Sequence, residues 1–180
     1  MDSRPSQGTL TARTGPAHGP IAFVAIGSNT GDSLKLVKAA IARMEKLAAE
    51  PLLKSSFWET EPVDCPPGSP PFVNAVVGIR VRHGETPESL FAKLQQIEVE
   101  FGRKRTGAKN EPRTLDLDLI AFGTETRNRP ELTIPHPRAH KRRFVLEPLA
   151  EIAPELVLPG QTQTVKQLLA QLPPGVCKRI

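Results

Sequence analysis

The sequence predicts an α+β domain in which helices pack on a mainly antiparallel sheet. Four short apolar stretches read as strands and two longer ones carry helical spacing; they follow one another as strand, helix, strand, strand, helix, strand. That order is the split βαβ arrangement, a ferredoxin-like βαββαβ core, with its helices expected on one face of the sheet. The size agrees: 180 residues, 38% of them hydrophobic, suffice for one domain with an ordinary core.

Residues 1–20 are rich in Ser, Thr, Gly and Pro and nearly lack large apolar side chains, so they read as a disordered tail before a domain spanning 21–180. Ile21 to Ile26 is a continuous apolar run stopped by Gly27-Ser28-Asn29, a first strand. Leu34, Val37, Ile41, Met44 and Ala48 then share a helical face, with Asp32 placed to cap it. Leu52 to Trp58 reads as a second strand. Pro62 to Pro71, with five prolines and one glycine, must be a loop. From Phe72 to Arg82 the residues Val73, Ala75, Val77, Ile79 and Val81 alternate onto one face of a third strand. Thr86-Pro87 opens a second helix with a cap and a proline at its first position, and Leu90, Leu94, Ile97 and Phe101 form its apolar stripe. A fourth strand ends at Phe122-Gly123. Phe144 to Ile152 and Val165 to Leu172 suggest further helices, the last stopped by Pro173-Pro174.

The fourth strand carries the chemistry. Five basic side chains, Arg103, Lys104, Arg105, Lys109 and Arg113, precede Leu115-Asp116-Leu117-Asp118-Leu119. A strand repeats every two residues, so Asp116 and Asp118 point to one face, roughly 6.6 Å apart along the chain, and the leucines point to the other. Two carboxylates so placed suit hard divalent cations; magnesium prefers one or two carboxylates together with phosphate oxygens. The basic loop supplies what a polyphosphate needs, and a second basic cluster (Arg138, Lys141, Arg142, Arg143) lies near His136 and His140. The net charge of +5 likewise favours anionic partners.

Gly27-Ser28-Asn29, Phe57-Trp58-Glu59-Thr60-Glu61-Pro62, Phe72-Val73-Asn74-Ala75, the Arg103–Asp118 segment and Pro135-His136-Pro137-Arg138 occur in that order. With these motifs the chain resembles the 6-hydroxymethyl-7,8-dihydropterin pyrophosphokinases of folate biosynthesis, from about Ile21 to Leu158. The resemblance implies long catalytic loops around the core. It also implies transfer of the β,γ-pyrophosphoryl group of ATP to the pterin hydroxymethyl oxygen, with release of AMP. By position, Asp116 and Asp118 would hold two Mg²⁺ ions, and Arg103 and Arg113 match the two catalytic-loop arginines, whose guanidinium planes can grip phosphate oxygens. Gln95, Glu98, Arg105, Leu119, Thr133, His136 and Arg142, with Arg113, match ATP-binding positions. Thr60, Glu61, Val63, Phe72, Asn74, Asp116 and Phe144 match the pterin site. There Asn74 offers an amide that donates and accepts at once, and the two phenylalanines stack on either side of the heterocycle. Trp58 stands where many members have Tyr, and Asn110 where some have a loop Trp.

A ferredoxin-like RNA-binding module is the alternative that the basic charge allows; aromatic residues at only 4% argue against stacked bases. A kinase transferring one phosphoryl group is the other rival, although no Walker-type Gly-Lys-Ser/Thr occurs. No apolar run approaches the roughly 20 residues of a membrane span, no signal peptide is evident, and Cys65 and Cys177 are too few for a disulfide framework. A cytoplasmic monomer is expected, with ATP and the pterin as partners and neither nucleic acid nor membrane.

Overall fold

A computed structural model describes residues 18–103 and 114–180. Most of the N-terminal tail, and Lys104, Arg105, Asn110 and Arg113 of the basic loop, lie outside the described residues. Strand β1 (Ile21–Ser28) leads into helix α1 (Ser33–Glu45), whose first turn is capped by Asp32: its carboxylate accepts from the Lys35 N–H at 3.1 Å. Val37, Ala40, Ile41 and Met44 form the buried side of α1. Two short strands follow, β2 (Leu53–Lys54) and β3 (Trp58–Thr60), and then the long β4 (Phe72–Arg80). Helix α2 (Pro87–Glu100) begins in a reciprocal cap between Thr86 and Ser89, as its Thr-Pro opening predicts. Beyond it come β5 (Asp116–Phe122), the hairpin of β6 (Arg127–Asn128) and β7 (Thr133–Ile134), α3 (Arg143–Ile152), α4 (Val165–Gln171) and β8 (Cys177–Arg179).

The main sheet runs β5-β1-β4-β3-β8, with β2 also paired to β4, and each pairing is antiparallel. The expected second strand, Leu52 to Trp58, is broken. Lys54 pairs with Val77 and Trp58 with Asn74, so three residues stand opposite two, and the extra one reverses the faces. Ser55 accounts for the break: its N–H donates to the Val76 carbonyl at 3.0 Å and its Oγ accepts from the Val76 N–H at 2.9 Å. A side chain thus replaces one rung of the ladder.

Helices cover both faces of the sheet, which corrects the expectation of one. Val24, Ile26, Ala75, Val77, Ile79, Leu115, Leu117 and Leu119 pack with α1 and α2. On the other face Phe23, Val76, Ile120 and Ala121 pack with Val145, Leu146 and Leu149 of α3 and Val165 and Leu168 of α4. A strand buried on both faces needs apolar side chains on both, and β4 is buried throughout from Val73 to Ile79. The second helical layer spans only part of its face. Where it stops, polar groups line the sheet.

Candidate functional site

The register of the sheet assembles the site. Gly27 pairs with Asp116 on one side and Asn74 on the other, and Asn74 pairs with Trp58. Paired residues point to the same face, so Asp116, Gly27, Asn74 and Trp58 form one transverse row. Phe72 and Thr60 form the next row on that face, and Asp118, Ala25 and Val76 the row on the other side. Both aspartates therefore share a face with Asn74 and Phe72, opposite the leucines that alternate with them, as the spacing predicts.

Asn74 is 6% exposed, and its Nδ2 donates to Thr60 Oγ1 at 2.6 Å. That bond turns the amide oxygen towards Gly27, where a Cβ would lie 3.0 Å from Oδ1 and 3.8 Å from the Phe72 ring. A glycine inside a strand signals close approach, and here the missing side chain makes the hollow in which amide and aromatic ring sit side by side. Phe144 stands in the first turn of α3, which packs over this face, and the Arg142 guanidinium lies 5.4 Å from its ring centroid. Glu61 and Val63 are exposed in the loop after β3.

Arg103 ends α2's trailing turn, its side chain 19% exposed, and Nη1 lies 3.0 Å from Asp116 Oδ1. Its other partner is Glu98, 3% exposed, whose carboxylate also accepts the Leu117 N–H at 2.8 Å. One buried carboxylate therefore holds the peptide between the two aspartates together with the arginine beside them. Burial pushes the Glu98 carboxyl above the usual carboxylate range, against the Leu117 N–H and the Arg103 charge that favour ionisation. Gln95, half-buried, is one turn earlier on α2, while the Leu119 side chain is buried on the helix-covered face away from the site. Thr133 lies on the β6–β7 hairpin, its hydroxyl donating to the Arg129 carbonyl at 3.1 Å.

A bulge fixes the last group. Phe23 pairs with Ala121 and Val24 with Leu119, so Ile120 is an extra residue in β5. The Ile120 carbonyl accepts the His136 N–H at 2.9 Å, tying the Pro135-His136-Pro137 turn to the strand two residues beyond Asp118. His136 Nδ1 accepts the Arg138 N–H at 3.1 Å, which leaves the proton of the neutral ring on Nε2. Burial, with the charges of Arg142 and Arg138, pushes its pKa down to about 4. The ring is thus a neutral donor amid cations. Arg143 is not part of that cationic surface: it bonds to Glu147 and to the carbonyls of Leu172 and Pro173, joining α3 to the end of α4.

Two carboxylates on neighbouring rows are a hard-cation donor set. Among the described residues no group of three or more His, Cys, Asp or Glu could hold a metal. The pair itself suits Mg²⁺, which takes one or two carboxylates and completes its shell with water and substrate phosphates.

The sequence model of the family described as 7,8-dihydro-6-hydroxymethylpterin-pyrophosphokinase matches residues 23–154. The chain belongs to this family. A 2-amino-4-hydroxy-6-hydroxymethyldihydropteridine pyrophosphokinase of Synechocystis is 41% identical over 84% of this chain and 75% of its own length. The Haemophilus influenzae protein of that name is 40% identical over 83% of this chain and 91% of its own. Among solved structures, a Plasmodium falciparum HPPK-DHPS with pteroate superposes with a TM-score of 0.69 at 14% identity, which speaks for the fold alone. The match covers 87% of this chain and 41% of that one, so the chain spans less than half of the two-part protein. Membership in the pyrophosphokinase family lends no support to the RNA-binding alternative. Sequence reading took Gly27 as a strand stop and a motif residue and missed its place beside Asn74 inside the strand, and it missed the partners of Trp58, which have no local signal.

Proposed function

We infer that Asp116, Asp118, Arg103 and the Asn74–Phe72 hollow serve one reaction. The chain is a pyrophosphokinase acting on 6-hydroxymethyl-7,8-dihydropterin, a step of folate biosynthesis. The donor in this reading is ATP: the hydroxymethyl oxygen attacks the β-phosphorus, the α,β-bridging oxygen leaves with AMP, and the hydroxyl proton passes to solvent. The observation that carries it is the row Asp116–Gly27–Asn74, which sets a carboxylate for cations beside an amide for a heterocycle on one sheet face.

Each side chain has a role in this account. Asn74 reads the pterin edge with its oxygen and remaining N–H, with Thr60 holding the amide's orientation; Phe72 and Phe144 sandwich the ring, and Glu61 and Val63 close the loop side. Asp116 and Asp118 would hold two Mg²⁺ ions. These ions, when bound, neutralise polyphosphate charge and favour loss of the hydroxyl proton. Arg103, with Arg105 and Arg113 of the basic loop, stabilises charge on the transferring group. His136 donates Nε2–H to a phosphate oxygen beside Arg142. Gln95 and Thr133 belong to the nucleotide side, which Glu98 serves through Arg103; Leu119, its side chain buried in the core, reaches that side only through its backbone.

The strand order and antiparallel pairings of β1, β3, β4 and β5 support the ferredoxin-like core; catalytic loops around it and a domain over residues 21–180 belong to the same reading. Among the described residues no helix is long and apolar enough to cross a membrane. A monomer in the cytoplasm, independent of nucleic acid, completes the proposal. Asp118→Asn tests it: transfer should be lost with the circular dichroism spectrum unchanged, and unaltered turnover would remove the two-metal assignment.

A further inference from the structure

Glu151 lies in none of the positions discussed so far, yet its carboxylate is among the most heavily used in the described residues. Its Oε1 accepts from Trp58 Nε1 at 2.5 Å, its Oε2 from the Ser56 hydroxyl at 2.8 Å, and both oxygens lie 3.3 Å from the Ser56 N–H. Arg179 of β8 approaches the same carboxylate at 3.7 Å. One side chain of α3 thus binds the strand that carries Trp58 and Thr60, and the chain's last strand as well.

Its place on the helix gives this a consequence. Glu151 follows Phe144 by seven residues, close to two turns, so both project from one side of α3. Between them stands Pro148, which has no N–H to donate to the Phe144 carbonyl. An internal proline weakens a helix, so α3 by itself is a poor ruler for the position of Phe144. An anchor at its far end is what fixes the helix against the sheet. Trp58, the anchored partner, is the residue paired with Asn74.

We propose that Glu151 is a positioning residue for the pterin: by clamping Trp58 and Ser56 it sets the gap between Phe144 on α3 and the Asn74–Phe72 hollow on the sheet. This rests on the pterin reading of that hollow. Hydrogen bonds to a charged group are the stronger kind, so loss of the clamp should weaken pterin binding by about tenfold.

The test uses the full chain and its only tryptophan, Trp58, as a reporter. Glu151→Ala should raise the KM for the pterin about tenfold, leave the KM for ATP within about twofold, and shift the Trp58 emission of the free protein to longer wavelength. Glu151→Gln keeps an oxygen for the indole N–H and should recover most of the pterin affinity, and Trp58→Phe should reproduce the loss seen in Glu151→Ala. Equal increases in both KM values, or a Gln variant no better than Ala, would reduce Glu151 to a general stabiliser and overturn the proposal, and so would an unshifted emission. A wild-type protein that binds no pterin, with the emission shift still present in Glu151→Ala, would instead place the failure in the reading of the hollow, and the proposal would fall with it.

Discussion

Replacing Gly27 by alanine would set a methyl carbon 3.0 Å from Asn74 Oδ1, well inside ordinary van der Waals contact. The amide cannot simply retreat. Asn74 is 6% exposed, and the direction away from β1 is towards Thr60, which its Nδ2 already meets at 2.6 Å. It must rotate, and rotation breaks the Thr60 bond and turns the oxygen out of the hollow. The broken Thr60 bond costs about 1 kcal/mol of stability, and the misplaced amide forfeits a similar amount with the pterin, so affinity should fall about fivefold. Backbone freedom acts the other way: alanine in place of an unstrained strand glycine stabilises by about 0.5–1 kcal/mol. The variant should therefore melt close to wild type while losing the pterin. Calorimetric titration with the pterin and, separately, with a non-hydrolysable ATP analogue separates the effects. Unchanged pterin affinity in a folded Gly27→Ala protein would refute the placement of the pterin on this row, and an equal loss for both ligands would mean a general distortion of the sheet.

Glu98 separates stability from catalysis. Its folded pKa is raised, so its ionised form opposes folding at neutral pH and stability rises as pH falls through the folded pKa. Glu98→Gln keeps an acceptor for the Leu117 N–H and sheds that buried charge; denaturant melts at pH 7 should show stability held or increased, while single-turnover transfer slows at least about tenfold as Arg103 loses one of its two carboxylates. A variant with normal transfer would end the assignment of Glu98 as the holder of Arg103. His136 predicts an acid-side weakness. Its pKa of about 4 lies below the ordinary 6.5, so the unfolded chain takes up this proton first, and the stability it supports is present above 6.5 and lost as pH falls towards 4. In metal-free buffer the wild-type unfolding midpoint should drop more steeply across that window than the midpoint of His136→Gln; identical slopes would contradict the buried neutral ring.

The parts written in short-range pattern were legible in the sequence. Period two placed Asp116 and Asp118 on one face, the caps of Asp32 and Thr86 were visible as residue types, and the proline-rich stretch after Glu61 could only be a loop. What escaped depends on pairing across the sheet. The bulge at Ile120 exists because β1 and β5 differ by one residue between two rungs, and the break at Ser55 because a hydroxyl competes with a backbone partner; neither has a local signature. The second helical layer was missed because Val76, Ile120 and Ala121 are too few to look like a second apolar face until register brings them together. Glu98 was legible only as a match to an ATP-binding position and Glu151 carried no signal, and only the fold shows which N–H groups they reach. The basic cluster at Arg142-Arg143 looked uniform, yet these adjacent residues at the start of α3 point differently, one beside Phe144 and the other bonded to the end of α4.

The central claim is that one sheet face joins a cation-binding carboxylate pair to a pterin hollow for pyrophosphoryl transfer. Its most direct test is the nucleotide product formed from Mg²⁺, ATP and 6-hydroxymethyl-7,8-dihydropterin by the purified protein. AMP in equal amount with the pterin diphosphate is the predicted result; ADP with a pterin monophosphate, or no turnover at all, would contradict it.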